Sequence, residues 1–390
     1  MAVSTISADK ALKTAYLDVV SNYLDYGINP FFAKIKKTSD NVWGKEIKKL
    51  IRMGQTKAVS AGTETGTLPS PSGQTYKEFV IKLKNLYGTI EISDKAIRAS
   101  QNKSGAFVNI LEEEIQGLLN SANYNFSRML FGDGNGTLGE IEIVGSGSYK
   151  VTNIENFEVG MSVMIYRVGK GYIDNGYEFK ITSVSPSSSA VSFDVDPEDI
   201  IQGQELIVYP NAYGNELTGL KAIFDSSVTK LYGLVKSSNK DLLPQIISSE
   251  GEISEMTIQK AIDNVEDKFG SSVDFILCSS GVKRAFIEHM STYRRNIDML
   301  DLQGGFKTVS YNGIPIVSDR FCPEGTMYLL NSEDFAIHQL CDWEWLEGED
   351  GKILRQIPDK PVYRATLVKY AELLCSRPWA QTMITGIEEK

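Results

Sequence analysis

Residues 84–115 read KNLYGTIEISDKAIRASQNKSGAFVNILEEEI and join a segment of strand-like alternation to the beginning of a long helix. From Ser104, which lies where an N-cap residue belongs, apolar side chains recur at helical intervals. They form one stripe made of Phe107, Leu111, Ile115, Leu118, Ala122, Phe126 and Met129. About 26 residues at about 1.5 Å each predict a helical rod of roughly 39 Å.

The segment after this helix, MLFGDGNGTLGE at 129–140, suggests three interpretations: a calcium loop, a phosphate loop or a helix end. An EF-hand loop beginning at Asp133 needs Gly and Glu where the chain has Leu138 and Val144. A Walker loop needs a preceding strand and a following Lys-Ser or Lys-Thr, and both are missing from the pattern. A turn that ends the helix, with Gly132 at the C′ position and the further glycines free to take positive φ, explains the composition without a ligand. Its glycines are Gly132, Gly134 and Gly136.

Two alternating segments before the long helix predict a long β-hairpin. Its strands are expected at 46–58 and 75–92, and VSAGTETGTLPSPSGQ (59–74) predicts a flexible tip. The turn-forming residues of that tip are Gly62, Thr65, Gly66, Pro69, Pro71 and Gly73. The strands are too polar to be buried in their own subunit, and a lone hairpin is marginal in water, so we expect it to need a surface from elsewhere.

The rest of the chain predicts an α+β protein. Residues 8–27 predict an amphipathic helix, and 145–212 predict a small all-β module of short strands between turns. Alternating helices and strands then indicate a sheet covered by helices, and two long strands surround the acidic loop LEGEDGK (346–352). The helices are expected at 257–270 and 281–291, and the strands at 273–280, 313–321, 326–331 and, last, in AQTMITGIE (380–388).

Composition narrows the class of protein. A chain of 390 residues with 42% hydrophobic and 23% charged residues predicts a globular protein of two or three structural units. The pattern contains no apolar run of about 18 residues that could span a bilayer and no secretory signal, so no membrane partner is expected. Four cysteines without CxxC spacing favour a reducing cytoplasm.

Charge is distributed unevenly along the sequence. The net charge of −10 disfavours a sequence-reading DNA-binding protein. Segment 30–57 is nevertheless basic, and segment 140–212 is acidic. The lysines that mark the basic segment are Lys34, Lys36, Lys37, Lys48 and Lys49.

The sequence predicts no catalytic residue, no cofactor and no metal site. Its histidines are His289 and His338, and a Cys278–His289 pair is the one nucleophile–base combination worth weighing. Cys278 lies in an apolar run and is predicted to be a core residue. Trp343 and Trp345, at strand spacing, are predicted to pack rather than to stack on nucleotides.

The order of these elements resembles the tailed-bacteriophage major capsid protein family, with its Hong Kong 97-type fold. The resemblance rests first on 84–115, which is similar to the family's return strand, bridging helix and start of spine helix. NYNFSRMLFGDGNG (123–136) resembles the end of the spine helix, ELTGLKAIFD (216–225) the entry to the axial domain, and VSYNGIPIVSDRFCPEGTMYLLNSEDFAI (309–337) its later strands. It covers most of the chain outside 140–212, which resembles the insertion domain of some members.

The resemblance implies a division into domains. An N-arm (1–45) and an extended loop (46–92) precede a peripheral domain with the spine helix (93–139). The inserted β domain (140–212) and the axial domain (213–334) follow, then the long peripheral strands and loop (335–375) and a last strand returning to the axial domain (376–390). The implied assembly residues are the hairpin tip, the glycines after the spine helix, the basic lysines and the peripheral loop, whose members are Glu347, Gly348, Glu349, Asp350 and Gly351.

The implied function is assembly rather than catalysis. Copies would form hexamers and pentamers of an icosahedral head, assembled in the host cytoplasm, around double-stranded DNA contacted non-specifically. The resemblance implies a portal and a separate scaffolding protein, unless the chain is processed, and allows a decoration protein. One relative joins subunits through a Lys–Asn bond assisted by a carboxylate. Lys57 and Lys77 flank the hairpin tip without a matching Asn and Glu, so no crosslink is predicted.

Two other hypotheses compete with the phage head. An encapsulin-type shell resembles the same fold but encloses protein cargo. A soluble enzyme with a pocket in the α/β unit is the alternative from a different class, and it predicts a small discrete oligomer instead of large particles.

Overall fold

The computed structural model describes residues 29–390 except 41, 43–45, 54–57, 69, 71–72, 101–109, 146–147, 198–200, 202, 204, 294–298, 302–306 and 349–350. The predicted helix at 8–27 and the N-cap Ser104 lie outside this range. In chain order the helices α1–α6 are Pro30–Lys34, Asp94–Ser100, Ile110–Phe131, Leu220–Phe224, Glu255–Phe269 and Ser280–Tyr293. None of these described helices combines the length and the apolar character that crossing a membrane requires.

Twenty-three strands complete the described structure. β1–β8 are Lys36–Thr38, Ile47–Met53, Thr75–Ile81, Lys84–Ser93, Thr137–Gly145, Ser148–Val151, Ser162–Arg167 and Gly171–Tyr172. β9–β16 are Phe179–Ser185, Ala190–Phe193, Glu205–Val208, Lys230–Leu231, Leu234–Val235, Gln245–Gly251, Phe275–Cys278 and Met299–Asp301. β17–β23 are Lys307–Tyr311, Ile314–Ser318, Met327–Leu330, Phe335–Trp345, Arg355–Gln356, Val362–Cys375 and Thr382–Ile387.

The chain divides into two compact units. Gly132–Gly219 forms one, and the residues before it together with Leu220–Lys390 form the other. The larger unit contains two main sheets, each built from residues distant in sequence. The boundaries of the domains that the resemblance implies stay a prediction.

The first main sheet confirms the predicted α/β arrangement. Its strand order is β14-β23-β19-β15-β18-β17-β16, with β15 parallel to β18 and antiparallel to β19. Helices α5 and α6 bury apolar faces in the same core as the central strands, as Val265, Ile276 and Phe286 show. The start of α5 is capped by the Ser254 side chain, and its end by Gly270 in the left-handed region at φ +58°.

The second main sheet is built on the two predicted long strands. β20 and β22 pair antiparallel, β1 adds to β20 in parallel, and β4 pairs with β22 from Val362↔Ser93 to Ala371↔Lys84. Helix α3 packs on β4 at Gly88, where an added Cβ would lie 2.8 Å from Leu118 Cδ1. A larger residue at position 88 would therefore force the Leu118 side chain to shift.

The N-terminal segment at 29–38 is part of this core rather than a free arm. Phe31 on α1 meets Phe335 with ring centroids 5.5 Å apart, and Phe32 meets Phe126 on α3 at 5.2 Å. Both phenylalanines are buried, and β1 continues the long-strand sheet. The part of the predicted N-arm that the structure describes is therefore anchored on its own chain.

The predicted long helix is confirmed as α3, but the predicted apolar stripe is only partly right. Ile115 and Phe126 are buried, whereas Leu118, Ala122 and Met129 are half-buried. Most residues of the last turns are buried, polar ones included: Asn123, Phe126, Ser127, Arg128, Leu130 and Phe131. The end of α3 packs on several sides, so one stripe underestimates its contacts.

The predicted strand at 75–92 is wrong as a single element. β3 ends at Ile81 and pairs with β2, while β4 begins at Lys84 and joins the long-strand sheet. The alternation changes phase between them: Phe79 and Ile81 point inward in β3, and Leu86 and Ile90 do so in β4. One strand cannot keep both sets on one face, so the phase change marks the break.

Unit 132–219 is a closed β-barrel, which confirms the small all-β module. Six antiparallel strands pair in the ring β11-β5-β6-β10-β9-β7, which closes through β7–β11, and β8 adds to β7. Its centre is filled by large apolar side chains such as Tyr149, Phe179 and Ile207. Closure removes the free sheet edges that a seven-strand open sheet would expose.

Candidate assembly surfaces

One face of the β2–β3 hairpin is buried within the chain, contrary to the sequence-based expectation. Phe79 is 0% and Ile81 2% exposed. Phe79 lies against the Tyr232 ring at 5.3 Å, and the Val80 amide donates to the Tyr232 carbonyl at 3.0 Å. The polar residues between the apolar ones occupy the other face of the strands. The polarity of the segment therefore does not mean that both faces are exposed.

The opposite face of the hairpin is the exposed one. Leu50 is 71% and Tyr76 58% exposed, and the cross-strand pairs Leu50↔Glu78 and Arg52↔Tyr76 place all four on one surface. Leu50 and Tyr76 are diagonal neighbours on this surface, so their exposed apolar atoms lie side by side. We call this the outer hairpin face.

The predicted tip residues lie at the end of this hairpin. Gly62, Thr65, Gly66 and Gly73 are exposed, and a turn closes between the Gly66 amide and the Thr63 carbonyl at 3.0 Å. Pro69 and Pro71 lie outside the described residues. Val59 and Leu68, which sequence reasoning did not single out, are 87% and 88% exposed.

The turn after α3 is held against the segment that leaves the barrel. Gly134 and Gly136 adopt left-handed φ angles of +85° and +74°, as predicted for the glycines that follow Gly132. The Gly214 amide donates to the Asn135 carbonyl at 3.1 Å, and a Cβ on Gly136 would lie 2.8 Å from the Ala212 carbonyl oxygen. The segments that enter and leave the barrel are therefore hydrogen-bonded to each other and closely packed.

Aromatic stacking strengthens the same junction within the barrel unit. Tyr166 on β7 stacks on Tyr213 with centroids 3.6 Å apart, and the Tyr172 hydroxyl accepts from the Tyr213 amide at 3.1 Å. Burial, and next the neighbouring Tyr166, raise the pKa of Tyr213. An aromatic stack and backbone hydrogen bonds therefore hold the described residues of this junction together.

Two backbone hydrogen bonds join the described residues of the acidic loop between the long strands. The Gly348 amide donates to the Lys352 carbonyl at 3.0 Å, and the Gly351 amide to the Gly348 carbonyl at 2.9 Å. Gly351 has φ +72°, and Glu347 is exposed. Glu349 and Asp350 lie outside the described residues, so their role stays a prediction.

Comparison with known proteins gives the fold. No family model matches the sequence, and no curated protein matches it. The structure is similar to a chain of the cyanophage A-1(L) capsid asymmetric unit, with 12% identity, a TM-score of 0.57, and coverage of 92% of this chain and 93% of the other. The chain has the Hong Kong 97-type fold. This is the fold of tailed-phage major capsid proteins.

Two further solved structures resemble the chain over similar lengths. An encapsulin from Synechococcus elongatus is 12% identical, with a TM-score of 0.48 and coverage of 93% and 89%. The capsid of Myoviridae phage XM1 is 9% identical, with a TM-score of 0.48 and coverage of 93% and 92%. The fold assignment rests on the cyanophage capsid alone.

Within this fold, several lysines of the basic segment are paired inside the chain. The ion pairs are Lys34–Asp274 at 3.8 Å, Lys37–Asp342 at 3.9 Å and Lys48–Glu78 at 3.2 Å. Lys36 is exposed, and Lys49 is half-buried. The positive charge that this segment offers to a phosphate backbone is therefore smaller than the sequence suggests.

The hairpin lysine Lys77 has neighbours that sequence reasoning missed. Its Nζ donates to Asn239 Oδ1 and lies 3.9 Å from Asp241 Oδ2. Lys77 and Asn239 are 162 positions apart, and no local pattern links them. Lys57 lies outside the described residues, and the absence of a crosslink stays a prediction.

Cys278 is a core residue, as predicted. It is 0% exposed, and burial raises the pKa of its thiol to about 12, so the reactive thiolate is scarce at neutral pH. Trp343 and Trp345 are each 6% exposed and pack in the long-strand sheet, which confirms their predicted role.

Proposed function

We propose that the chain is a major capsid protein, copies of which form the hexamers and pentamers of an icosahedral bacteriophage head around double-stranded DNA. The observation that carries the proposal is the similarity, over more than nine tenths of both chains, to the cyanophage capsid subunit. An exposed hairpin face and a long α3 helix fit a subunit that contacts several neighbours through modest interfaces. The role is structural, not enzymatic.

Electron microscopy and sedimentation test this function. We expect the purified full chain to form capsomers or closed shells of megadalton mass, and native particles to contain DNA and carry a tail vertex. Shells filled with protein instead of DNA would indicate an encapsulin. A small discrete oligomer would contradict shell formation and leave the enzyme hypothesis standing.

The partners follow from the proposal. A portal, a separate scaffolding protein and a decoration protein would share the head with this chain, and packaged DNA would meet it through non-specific charge contacts. The virion capsid would be the final location, after assembly in the host cytoplasm.

The net charge of the barrel unit suggests which surface of the shell it occupies. Residues 132–219 contain thirteen acidic and four basic residues, a net −9, whereas the other 302 residues contain 37 acidic and 36 basic, a net −1. A barrel with this charge is repelled by DNA phosphates, so we propose that it lies on the outer surface of the shell. Limited proteolysis of intact particles should cut within 132–219 before it cuts in 1–45. The reverse order would overturn the assignment.

The outer hairpin face gives a direct test of assembly. Replacing Leu50 and Tyr76 each with Thr, which keeps strand propensity and adds no charge opposite Glu78, should change subunit stability by no more than about 0.5 kcal/mol per substitution, because both side chains are exposed. Shell yield, measured by sedimentation, should fall at least tenfold if a neighbouring copy covers them. Val168→Ser, at an apolar barrel residue that is 68% exposed, serves as control. Normal shell yield in the hairpin variant would exclude this face as an interface.

A further inference from the structure

Strand β4 lies at one edge of the long-strand sheet. It pairs with β22 from Val362↔Ser93 to Ala371↔Lys84, and no described strand pairs with its other side. The free side of an edge strand presents unpaired backbone N–H and C=O groups, which are a template for pairing with another strand. The outer edge of β4 is therefore a candidate contact surface.

Backbone hydrogen bonds show which groups of β4 point outward. The Asp94 amide donates to the Pro361 carbonyl at 3.0 Å, so these two residues form a hydrogen-bonded antiparallel pair. Such pairs alternate along the ladder, so every second residue of β4 bonds to β22 and the residues between them do not. On the far side of β22, the Leu346 amide donates to the carbonyl of Thr366, the residue opposite Thr89, which fits this alternation. The outward backbone groups belong to Asn85, Tyr87, Thr89 and Glu91.

The side chains of these four residues are exposed as well. Tyr87 is 60% exposed, and the other three are also exposed. The residues that alternate with them, Leu86, Ile90 and Ile92, are buried on the side of the sheet where α3 packs at Gly88. None of the four is a proline or a lysine, the residues that commonly protect a strand edge from pairing.

The sequence of β4 fits an antiparallel copy of itself. When Thr89 lies opposite Thr89 of a second copy, Tyr87 lies opposite Glu91 and Leu86 opposite Ile92. Apolar residues then meet apolar residues on the buried face, and uncharged residues or one carboxylate meet on the exposed face. No like charges are opposed in this register.

The neighbouring registers fit less well. Moving the axis one residue away from Thr89 places Lys84 opposite Ile92 in one direction and Leu86 opposite Asp94 in the other. Each of these shifts sets a charged side chain against an apolar one on the buried face, which costs free energy. The pattern of β4 therefore selects the axis at Thr89.

We propose that the outer edge of β4 is an interface between two copies of this chain, which pair it antiparallel about a two-fold axis at Thr89. The pairing joins two long-strand sheets into one and satisfies the outward backbone groups of both strands. A self-complementary edge is what a two-fold interface requires, and this favours a second copy over a different protein. The inference rests on the proposed function in one respect, since a closed shell brings neighbouring copies together at two-fold axes.

Cysteine crosslinking tests the register. Thr89→Cys would place two thiols on opposed residues whose Cα atoms are about 5.5 Å apart, within the range of a disulfide. We expect mild oxidation of the full chain, both as free subunits and as particles, to give covalent dimers on a non-reducing denaturing gel. A reducing agent should reverse them. The natural chain, oxidised in the same way, accounts for its own four cysteines.

Glu91→Cys is the matched control. Glu91 is an exposed residue of the same edge, but its two copies would lie four residues apart along the paired strands, about 14 Å, which is too far for a disulfide. Dimers from Glu91→Cys alone would overturn the register, equal dimers from both variants would indicate random collision, and dimers from neither would overturn the interface.

Charge substitution tests whether the pairing holds copies together. Thr89→Lys and Thr89→Glu each oppose two like charges at the axis, so each alone should lose the dimers or shells that sedimentation detects in the natural chain. An equal mixture of the two variants should restore them, because Lys then faces Glu. The urea midpoint of each variant subunit should match the natural one, since the Thr89 side chain is exposed and its backbone groups are not bonded to β22.

Normal assembly of either charge variant alone, or no recovery in the mixture, would contradict the interface. Covalent Thr89→Cys dimers in a chain that forms no shell would support the edge pairing and contradict the shell function. Shells without such dimers would do the reverse, so the two failures are distinguishable.

Discussion

Gly136→Val is expected to unfold the barrel unit at a much lower urea concentration than in the natural chain. Valine at φ +74° carries about 1–3 kcal/mol of backbone strain. Its Cβ would also lie 2.8 Å from the Ala212 carbonyl oxygen, and forcing this contact adds about 1–3 kcal/mol. The sum, about 2–6 kcal/mol, is a large part of the stability of a small domain.

Gly160→Val is the matched control for this substitution. Gly160 has φ +90° in the same unit, but an added Cβ meets nothing within 4 Å, so only the backbone strain remains. Hydrogen exchange of the barrel amides is the suitable measurement, because Trp43, Trp343, Trp345 and Trp379 all lie outside 132–219. Equal losses in the two variants would show that the contact with Ala212 contributes nothing.

The sequence was informative wherever a local pattern determines structure. Helices α5 and α6 and the strands between them follow from apolar periodicity, and the two long strands follow from alternation around a glycine-containing loop. The turn after α3 was also predicted from composition, and Gly134 and Gly136 adopt the positive φ angles expected of its glycines.

Local patterns in the sequence do not predict contacts between residues that are distant along the chain. The barrel closes through β7–β11, and Lys77 meets Asn239, pairings that no spacing in the sequence encodes. The break between β3 and β4 did leave a signal, the phase change after Ile81, which the single-strand interpretation overlooked. Lys369 is buried in the apolar strand β22 and donates to Asp342 on β20, a pairing that local patterns do not identify.

Asp342→Asn is expected to destabilise the long-strand sheet, because Lys369 would lose its counter-ion. The Lys369 side chain is 0% exposed, and its Nζ donates to Asp342 Oδ1 and, at 3.2 Å, to Gln339 Oε1, above the Phe126 ring. Burial lowers the pKa of Lys369, and the Asp342 carboxylate opposes this. Removing one partner of a buried pair costs roughly 3–5 kcal/mol, and the half-exposed Asp342 places this case at the lower end.

Lys369→Met tests whether the long-strand sheet needs the Lys369–Asp342 ion pair for its stability. Methionine fills the same apolar site without a buried charge, and the remaining carboxylate can turn to water, so we expect unchanged or higher stability. The double variant with Asp342→Asn should then lie close to Lys369→Met alone, which gives a coupling free energy that denaturant titrations can measure. Arg364 and Glu91 form an exposed pair on the same sheet, and Glu91→Gln should cost no more than about 1 kcal/mol. If Asp342→Asn cost no more than Glu91→Gln, Lys369 would be stabilised by Gln339 and the aromatic rings instead of by its carboxylate.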